Sequence, residues 1–385
     1  MNRLILIGNG FDLAHGLKTS YKDFIFDYLK SSLIEILDSP NRDYEDGFIK
    51  ITRNHKNAII KTNVKEKPVE GWILDDLLCL IETNKKYKKR YINRNPPPPF
   101  YDYFFLLEIK SELINNLLSH CNDANWVDIE NEYYNLLCEY IEYEDGVEKV
   151  KELNVEFQKL QDLLQKYLLK IDKDIASDQT MFLNQDSCEQ LTEPIYNTQI
   201  KEKPNSILFL NFNYTQTIEH YLRNIAKIVP KTDVIYIHGQ LDSKSNPIIF
   251  GYGDEDETNF NLLEKYDDEC LKYVKTYWYL RTDNYSKFLS FIESDEFEVY
   301  IMGHSCGMSD KTMLSSIFNN QNCKKIKILT YNKDTHNNPS LDNTNYIEMT
   351  YQIGRLFNKK SDLRKKLINF NPNDLLQIRK KLLYK

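Results

Sequence analysis

Four short polar motifs each follow an apolar run of the sequence, and they contain the residues best suited to chemistry. These motifs are Gly8 to Asp12, Asn211 to Thr215, His238-Gly239 and Gly303 to Gly307. A carboxamide both donates and accepts hydrogen bonds, and an imidazole titrates near neutral pH. Asn213 is therefore suited to hold a hydroxyl group or an attacking water molecule, and His238 is placed where a general base is useful.

The glycine turn after the first apolar run is typical of a site for a nucleotide phosphate. Backbone N–H groups approach a phosphate closely where side chains are absent, and the following helix directs its positive end at the same point. Leu13 stands where the dinucleotide fingerprint carries its third glycine. A plain strand-to-helix turn with Asp12 as a helix cap is the alternative. The candidate binding residues are Gly8, Asn9, Gly10, Phe11, Asp12, Gly239, Gly303, His304 and Ser305.

The other motifs also have structural interpretations. Asparagine often closes a turn after a strand, and a lone histidine is more often structural. Of the seven histidines, however, only His238 and His304 follow predicted strands of the sheet, which favours a shared site. Gly303-x-Ser305-x-Gly307 also matches the nucleophile elbow of serine hydrolases. In that alternative, the histidine is His336 and the acid is Asp310, Asp334 or Asp342. Such enzymes usually carry these residues after separate strands, whereas only one further strand follows here.

The apolar runs before these motifs predict the strands of a parallel sheet. Short, continuous runs rich in aliphatic side chains are typical of strands that helices cover on both faces. The runs occupy residues 3–7, 207–210, 234–237, 299–302 and 326–329. Helical patterns at 217–229 and 287–292 separate them, so the order implies right-handed crossovers. Ligands bind beyond the carboxyl ends of such strands, so the motifs are expected to converge on one crevice.

Helical patterns occupy most of the remaining sequence. Ser20-x-x-Asp23 is a capping box and predicts a helix to about Leu37. Between residues 40 and 200, long helical patterns such as 101–119 and 147–169 predict a helical insertion. Leucines among basic residues after Lys360 predict two amphipathic helices hinged near Pro372.

These elements predict an α/β protein with a Rossmann-like parallel sheet. The core comprises residues 1–38 and 205–358, a large helical insertion spans 39–204, and a C-terminal helical segment spans 359–385. A chain of 385 residues exceeds the ~250–300 at which a single core usually stops growing, which agrees with such a division.

Composition restricts the class of partner and the compartment. A net charge of −7 argues against bulk binding of nucleic acid. No apolar stretch reaches the ~20 residues of a membrane span, and no signal peptide is recognisable. Seven scattered cysteines form no C-x-x-C pair, so neither a disulfide framework nor a metal site is expected. We expect a soluble cytoplasmic protein that binds a small nucleotide.

The motifs together resemble the AbiH family of bacterial abortive-infection proteins, which act against bacteriophage. The resemblance extends over most of the chain. It depends on the glycine turn with Tyr21 and Phe24, on 126–130 and 210–215, on His238-Gly239 with 251–253, and on Gly303 to Ser305 with Asp310. The likeness implies a role in phage defence, with a phage-derived trigger and a homo-oligomer as further expectations.

More distantly, the same order of motifs is similar to the sirtuin-like NAD-binding fold, several members of which consume NAD in defence. That likeness implies phosphate binding by Gly8 and Gly10, catalysis by Asn213 and His238, and contact of Ser305 with the adenosine half. Asp12 stands where sirtuins usually carry a serine, and the zinc module of protein deacetylases is absent. Protein deacylation is therefore not expected.

The leading hypothesis is an NAD glycohydrolase that cleaves the nicotinamide–ribose bond. Nicotinamide leaves from a cation without protonation, so fixed dipoles and a carboxylate such as Asp12 or Glu130 suffice, and no metal is required. Two alternatives stay open. The protein is either a nucleotide sensor that binds without turnover, or a serine hydrolase that uses Ser305.

Overall fold

The computed structural model describes residues 1–38, 43–53, 76–77, 79, 105–119, 126–177, 203–253, 259–333 and 338–376. Contacts between residues divide the chain into two compact units. The first unit comprises Met1–Thr19 and Gln165–Lys385, and the second comprises Ser20–Leu164.

The described chain contains eight strands and twelve α-helices. In chain order, the strands are β1 (Asn2–Ile7), β2 (Asp43–Glu45), β3 (Ile49–Arg53), β4 (Phe105–Ile109), β5 (Ile207–Asn211), β6 (Thr232–Tyr236), β7 (Phe297–Met302) and β8 (Cys323–Leu329). The helices are α1 (Asn9–Ala14), α2 (Tyr21–Asp38), α3 (Glu112–Ser119), α4 (Trp126–Tyr140), α5 (Gly146–Ser177), α6 (Glu219–Ile228), α7 (Phe260–Tyr266), α8 (Lys275–Tyr279), α9 (Asn284–Ser294), α10 (Lys311–Asn319), α11 (Tyr346–Leu356) and α12 (Lys360–Lys366). Short 3₁₀ turns at Asp268–Leu271 and Met308–Asp310 precede α8 and α10.

The first unit contains a five-stranded sheet in the order β6-β5-β1-β7-β8, and every neighbouring pair in it is parallel. β1 is the central strand, so Leu4 pairs with Leu208 on one side and with Val299 on the other. Each predicted run of the sheet is a strand in the structure. The prediction of an α/β protein with a Rossmann-like parallel sheet is confirmed.

Apolar side chains on both faces explain why these runs form the middle of the sheet. Successive side chains of a strand point to opposite faces. Leu4 and Leu6 therefore join one core cluster with Ile301, whereas Ile5 and Ile7 join a second one. The first cluster receives side chains from α9, α10 and α11, and the second receives them from α1 and α6. Full burial of each such side chain contributes about 1.5–3 kcal/mol to stability.

An ion pair interrupts the apolar interior of this sheet. Arg3 of β1 and Glu298 of β7 occupy paired register positions, and their side chains are 1% and 2% exposed. The Arg3 Nε donates to Glu298 Oε1 over 2.8 Å, and the guanidinium carbon lies 4.4 Å from the ring centre of Tyr300. Both charges are therefore balanced within the protein rather than by solvent.

The second unit contains an antiparallel sheet, β2-β3-β4, that the sequence patterns did not predict. Within the predicted helix over 101–119, residues 105–109 instead form β4 and residues 112–119 are helical, while 101–104 lie outside the described residues. β4 pairs with β3 from Ile49↔Ile109 to Arg53↔Phe105, and this non-local pairing overrides the helical pattern of the local sequence. The long pattern at 147–169 is confirmed as part of α5.

The predicted capping box at the start of α2 is confirmed. The Ser20 hydroxyl accepts a hydrogen bond from the backbone N–H of Asp23 over 3.1 Å and donates to the Asp23 carboxylate over 2.5 Å. One backbone N–H that the start of a helix leaves unpaired is thereby satisfied, and the carboxylate holds the capping hydroxyl in place. α2 ends at Asp38, close to the predicted end.

The chain after α11 partly matches the two helices expected there. α12 is the first of them, but the chain beyond it continues along β8, where Leu367 bridges Ile326 and Leu375 bridges Thr330. β8 lies at the edge of the sheet, so its free backbone groups can pair with this segment. Residues 377–385, which hold the rest of the second predicted helix, lie outside the described residues.

None of the helices in the described ranges combines the length and the apolar character that a membrane crossing requires.

Candidate functional site

The loops that follow β1, β5 and β7 are joined by backbone hydrogen bonds. The N–H of Gly8 donates to Met302 O over 3.2 Å, and the N–H of Gly10 donates to Gly303 O over 2.9 Å. On the other side, the N–H of Phe212 donates to Ile7 O over 2.9 Å. The predicted motifs therefore lie together at the carboxyl edge of the sheet.

Glycine is required where the loops after β1 and β7 touch. A Cβ atom on Gly8 would lie 2.5 Å from His304 Cα, and one on Gly303 would lie 2.2 Å from the backbone nitrogen of Phe11. Gly303 also has φ +75°, which other residues rarely adopt. The glycines thus allow two backbones to pack against each other. The sequence pattern predicts a different role for them, contact with a phosphate.

The same packing occupies most backbone donors of the glycine turn. The N–H groups of Gly8 and Gly10 donate to carbonyls of the β7 end, and that of Phe11 donates to Gly8 O over 2.9 Å. The N–H of Asn9, the first residue of α1, is not among these bonded donors and is the candidate donor for an anion. The Asn9 side chain accepts a hydrogen bond from the Thr19 hydroxyl over 2.7 Å.

Asn213 connects the end of β5 to the glycine turn. Its Nδ2 donates to the carbonyl of Gly8 over 3.0 Å, and only 8% of the residue is exposed. The turn after β5 is closed by Asn211, whose Oδ1 accepts from the Asn213 N–H over 3.0 Å. The alternative of a turn-closing asparagine therefore describes Asn211, and the carboxamide of Asn213 faces the predicted binding loop.

Asp12 lies beneath this loop with one oxygen unpaired. Its Oδ2 accepts from the Thr215 hydroxyl over 2.6 Å, while its buried Oδ1 has no hydrogen-bond partner within the described structure. Burial raises the pKa of this carboxyl to about 6, although the hydrogen bond from the Thr215 hydroxyl acts in the opposite direction. Asp12 does not cap α1, because the N-cap position belongs to Gly8.

A second group of buried polar side chains, here named the Asp310 cluster, surrounds the carboxylate of Asp310. Its Oδ1 lies 2.9 Å from Lys275 Nζ and 3.1 Å from His238 Nε2, and its Oδ2 lies 3.6 Å from His304 Nε2. The Tyr279 hydroxyl lies 3.1 Å from the same Nε2 of His238. The members are Lys275, Tyr279, His238, His304 and Asp310, all at most 9% exposed.

The charges of the Asp310 cluster set the protonation of its members. Burial alone would raise the pKa of Asp310, but the Lys275 ammonium and His238 outweigh it and hold that pKa well below its usual range. Burial lowers the pKa of His238, the Asp310 carboxylate opposes this, and Lys275 lowers it further. At neutral pH the cluster therefore contains an ionised Asp310 beside a neutral His238.

The two imidazoles are held in defined orientations. Nδ1 of His304 accepts from the Cys306 N–H over 2.9 Å, so a neutral His304 carries its proton on Nε2, which faces Asp310. Phe212 packs its ring against both imidazoles, with centre-to-centre distances of 5.1 Å to His238 and 4.1 Å to His304. Because Phe212 precedes Asn213 in the chain, it connects the Asp310 cluster to the glycine turn.

Ser305 is exposed, but its turn differs from a nucleophile elbow. In such an elbow the serine itself occupies the strained position. Here the positive φ, +54°, belongs to Cys306. His304 faces Asp310, and the alternative partners Asp334 and His336 lie outside the described residues.

Two of the predicted binding residues, Phe11 and Gly239, are explained by packing and backbone conformation. Phe11 is fully buried, and its ring centre lies 4.6 Å from that of His15 and 6.2 Å from that of Tyr221. Gly239 has φ +85°, and a Cβ there would lie 2.1 Å from Pro247 O. The side chain of Phe11 therefore packs in the core, and Gly239 allows a close backbone contact with Pro247, so both have structural roles.

Lys275 and Tyr279 are polar members of the site that sequence reasoning missed. They belong to α8, which does not follow a strand of the sheet. Their spacing of four residues places both on one helix face, and that spacing was the available signal. Glu130, the other carboxylate considered, is on α4 in the second unit. Across the described ranges, no group of three or more His, Cys, Asp or Glu side chains is arranged to hold a metal ion.

Comparison with known proteins gives one family. The family model described as "Bacteriophage abortive infection AbiH" matches residues 4–332, which include every candidate site residue and the strands of both sheets apart from the first two residues of β1. No curated protein matches the chain.

Proposed function

The chain belongs to the AbiH family of bacteriophage abortive-infection proteins, and from this premise we propose that it acts by hydrolysing the nicotinamide–ribose bond of NAD. Depletion of the cofactor would stop the metabolism of an infected cell before phage release. The family membership supports the defence role. The chemistry of the site supports the proposed reaction.

The observation that carries the proposal is the meeting of the glycine turn, Asn213 and the two histidines at one edge of a parallel sheet. Ligands of such sheets bind beyond the carboxyl ends of the strands. Asn213 is bonded to Gly8, and Phe212 beside it contacts both His238 and His304. Groups suited to hold a ribose and to accept a proton are therefore neighbours.

Each step of the hydrolysis has a candidate residue. Nicotinamide leaves without protonation, so the site must stabilise an oxocarbenium-like ribose and admit water. The carboxamide of Asn213 would orient the ribose or the water. His238, neutral at its lowered pKa, would accept the proton that the water or a ribose hydroxyl releases.

The polar groups left unpaired fit a nucleotide with ribose hydroxyls. Asp12 Oδ1 is a buried acceptor without a partner in the described structure, and a hydroxyl donor would satisfy it. An unpaired buried carboxylate oxygen is costly, so its presence favours a polar ligand. The N–H of Asn9 would contribute to pyrophosphate binding, and the exposed Ser305 would contact the adenosine half.

The test is an assay of the purified full chain with NAD that detects nicotinamide and ADP-ribose. We expect turnover in the wild type. Loss of the proton acceptor in His238→Ala should lower kcat by about 10²- to 10⁴-fold, and Asn213→Ala should lower it as well.

Asn224→Ala, at an exposed position on α6, is the matched control and should retain full activity. A wild type that binds NAD but releases no product in the presence of phage components would contradict hydrolysis.

A nucleotide sensor without turnover is the second candidate, and the burial of the site favours it. Asn213 and His238 are only 8% and 6% exposed, which suits a ligand that is enclosed rather than exchanged rapidly. Tight nucleotide binding that both alanine variants weaken, without any product, would support this function. The serine hydrolase is not favoured, because the strained residue of its proposed elbow is Cys306.

A further inference from the structure

The carboxylate of Asp310 is shared between a cation and the proposed base. Lys275 Nζ and His238 Nε2 both lie within hydrogen-bond distance of the same oxygen, Oδ1. His304 Nε2 faces the other oxygen, Oδ2, so the carboxylate is restrained on both sides. Lys275 also donates to the carbonyl of Ser309 over 3.3 Å, which ties the ammonium to the turn that carries Asp310.

We propose that Asp310 is a positioning residue that fixes the Nε2–H tautomer of His238, and that Lys275 keeps His238 unprotonated by neutralising Asp310. The catalytic meaning of this arrangement rests on the proposed hydrolysis. The predicted tautomer and titration of His238 are independent of that hydrolysis.

The tautomer follows from the choice of acceptor. An imidazole N–H donates more strongly to a carboxylate than to a neutral hydroxyl. Of the two acceptors near Nε2, Asp310 Oδ1 is ionised and the Tyr279 oxygen is neutral, so the proton resides on Nε2 and the bond runs to Asp310. Nδ1 then carries the lone pair, and it is the atom that would take a proton from water or from a ribose hydroxyl.

Lys275 weakens the effect of the Asp310 carboxylate on the pKa of His238. An unopposed carboxylate stabilises the imidazolium and raises the pKa of the histidine. The ammonium of Lys275, 2.9 Å from the same oxygen, cancels much of that attraction. The charged and titratable groups that face His238 are Asp310, Lys275, His304 and Tyr279, and Lys275 is the cation among them in the described structure.

Opposite signs distinguish this arrangement from a purely structural role. In Asp310→Asn the anion is lost while Lys275 stays, so the pKa of His238 should fall. In Lys275→Met the cation is lost while Asp310 stays, so that pKa should rise by about 1 pH unit. A general loosening of the site would move both variants toward the ordinary histidine value, which is upward in each case.

The experiment uses the ¹⁵N-labelled full chain without any nucleotide. Two-bond ¹H–¹⁵N correlations report which ring nitrogen of His238 is protonated, and a pH titration of the same signals gives its pKa. We expect the Nε2–H tautomer in the wild type and opposite pKa shifts in the two variants. Lys272→Met, which removes an exposed lysine of the neighbouring turn, is the control and should leave the titration unchanged.

An Nδ1–H tautomer in the wild type, or shifts of the same sign in both variants, overturns the proposal. Lys275→Gln serves as a second neutral variant, since its amide can still donate to Asp310. The role of Asp310 in fixing the tautomer is tested in the wild type, without any variant. In NAD assays the acidic limb of kcat/KM should move with the His238 pKa. Absence of turnover would reject the proposed hydrolysis and leave the tautomer result standing.

Discussion

At the scale of single residues, the site contains two buried aspartates whose pKa values move in opposite directions. Asp310 has an ammonium within 2.9 Å, and its pKa is held low. Asp12 has a hydroxyl donor on one oxygen and none on the other, and burial raises its pKa. Environments that separate the pKa values of similar groups are typical of acid–base sites.

The raised pKa of Asp12 predicts a pH-dependent stability. Because the folded state holds this proton more tightly than the unfolded chain, stability is greatest below the usual pKa of 3.8 and falls as the pH rises through about 6. A separation of about two pH units corresponds to about 3 kcal/mol. In urea titrations, the free energy of unfolding of the wild type relative to Asp12→Asn should decrease by about 2 kcal/mol between pH 4 and pH 7, because the unfolded carboxyl is already partly ionised at pH 4.

Replacement by asparagine removes the ionisation and preserves the shape, so the other titrating groups cancel in the comparison. A difference between the two proteins that stays constant from pH 4 to pH 7 would show that Asp12 titrates normally.

The residues of the site were predictable where they follow an apolar run. Asn213 and His238 were found because a strand of the sheet ends just before each of them. Lys275 and Tyr279 were not, because α8 is a five-residue helix after a 3₁₀ turn, and a spacing of four residues alone does not mark a site. A lysine and a tyrosine at such positions are recognised only when Asp310, far along the chain, is placed beside them.

At the scale of elements, the contact between the loops after β1 and β7 decides whether the site forms. The backbones of Gly10 and Gly303 are joined by a hydrogen bond, and Gly303 has a positive φ. A side chain at either position would separate the loops. The glycine turn is therefore a packing surface for another strand end as much as a place for a ligand.

Gly303→Ala tests this contact. The positive φ alone should cost about 1–3 kcal/mol, and the clash of Cβ with the Phe11 nitrogen at 2.2 Å adds to that cost. Chemical denaturation should show the loss, and nucleotide binding should weaken with it. A variant as stable as the wild type would exclude the close contact.

Gly354→Ala is the matched control for the same substitution. Gly354 lies inside α11, where a Cβ would meet Leu363 Cδ2 at an ordinary 3.5 Å. Alanine is the better helix former, so this variant should gain about 0.5–1 kcal/mol.

The sequence was informative about the five strands of the parallel sheet and uninformative about the three strands of the second unit. β1, β5 and β7 are buried at every residue, and their apolar runs were recognised. β2 consists of Asp43-Tyr44-Glu45, whose polar residues carry no strand signal. Partners found only in the folded protein, such as β3 for β4, leave no local trace in a sequence.

At the scale of the whole molecule, the sheet of the first unit contains a buried charged pair in which each partner needs the other. Arg3 and Glu298 come from distant parts of the chain and meet at paired positions of β1 and β7. Removing one partner of such a pair leaves an uncompensated buried charge, which costs more than replacing both. The pair thus discriminates against any register other than the native one.

A double-mutant cycle measures this effect. Glu298→Leu alone should lower the free energy of unfolding by about 3–5 kcal/mol, since Arg3 then stays charged in the interior. Adding Arg3→Met should recover most of the loss. Urea midpoints of the two single variants and the double variant give the coupling energy, and additive single effects would contradict a coupled pair.

The central position of β1 has a consequence for how the protein is made. The strand leaves the ribosome first among the elements of its sheet, yet its neighbours are at residues 207–211 and 297–302. At typical rates of translation, it waits on the order of tens of seconds for both edges to be covered. An aliphatic segment with two open edges is a target for chaperones during that interval. The amount of active protein per cell should accordingly depend on the speed of synthesis as well as on the final stability.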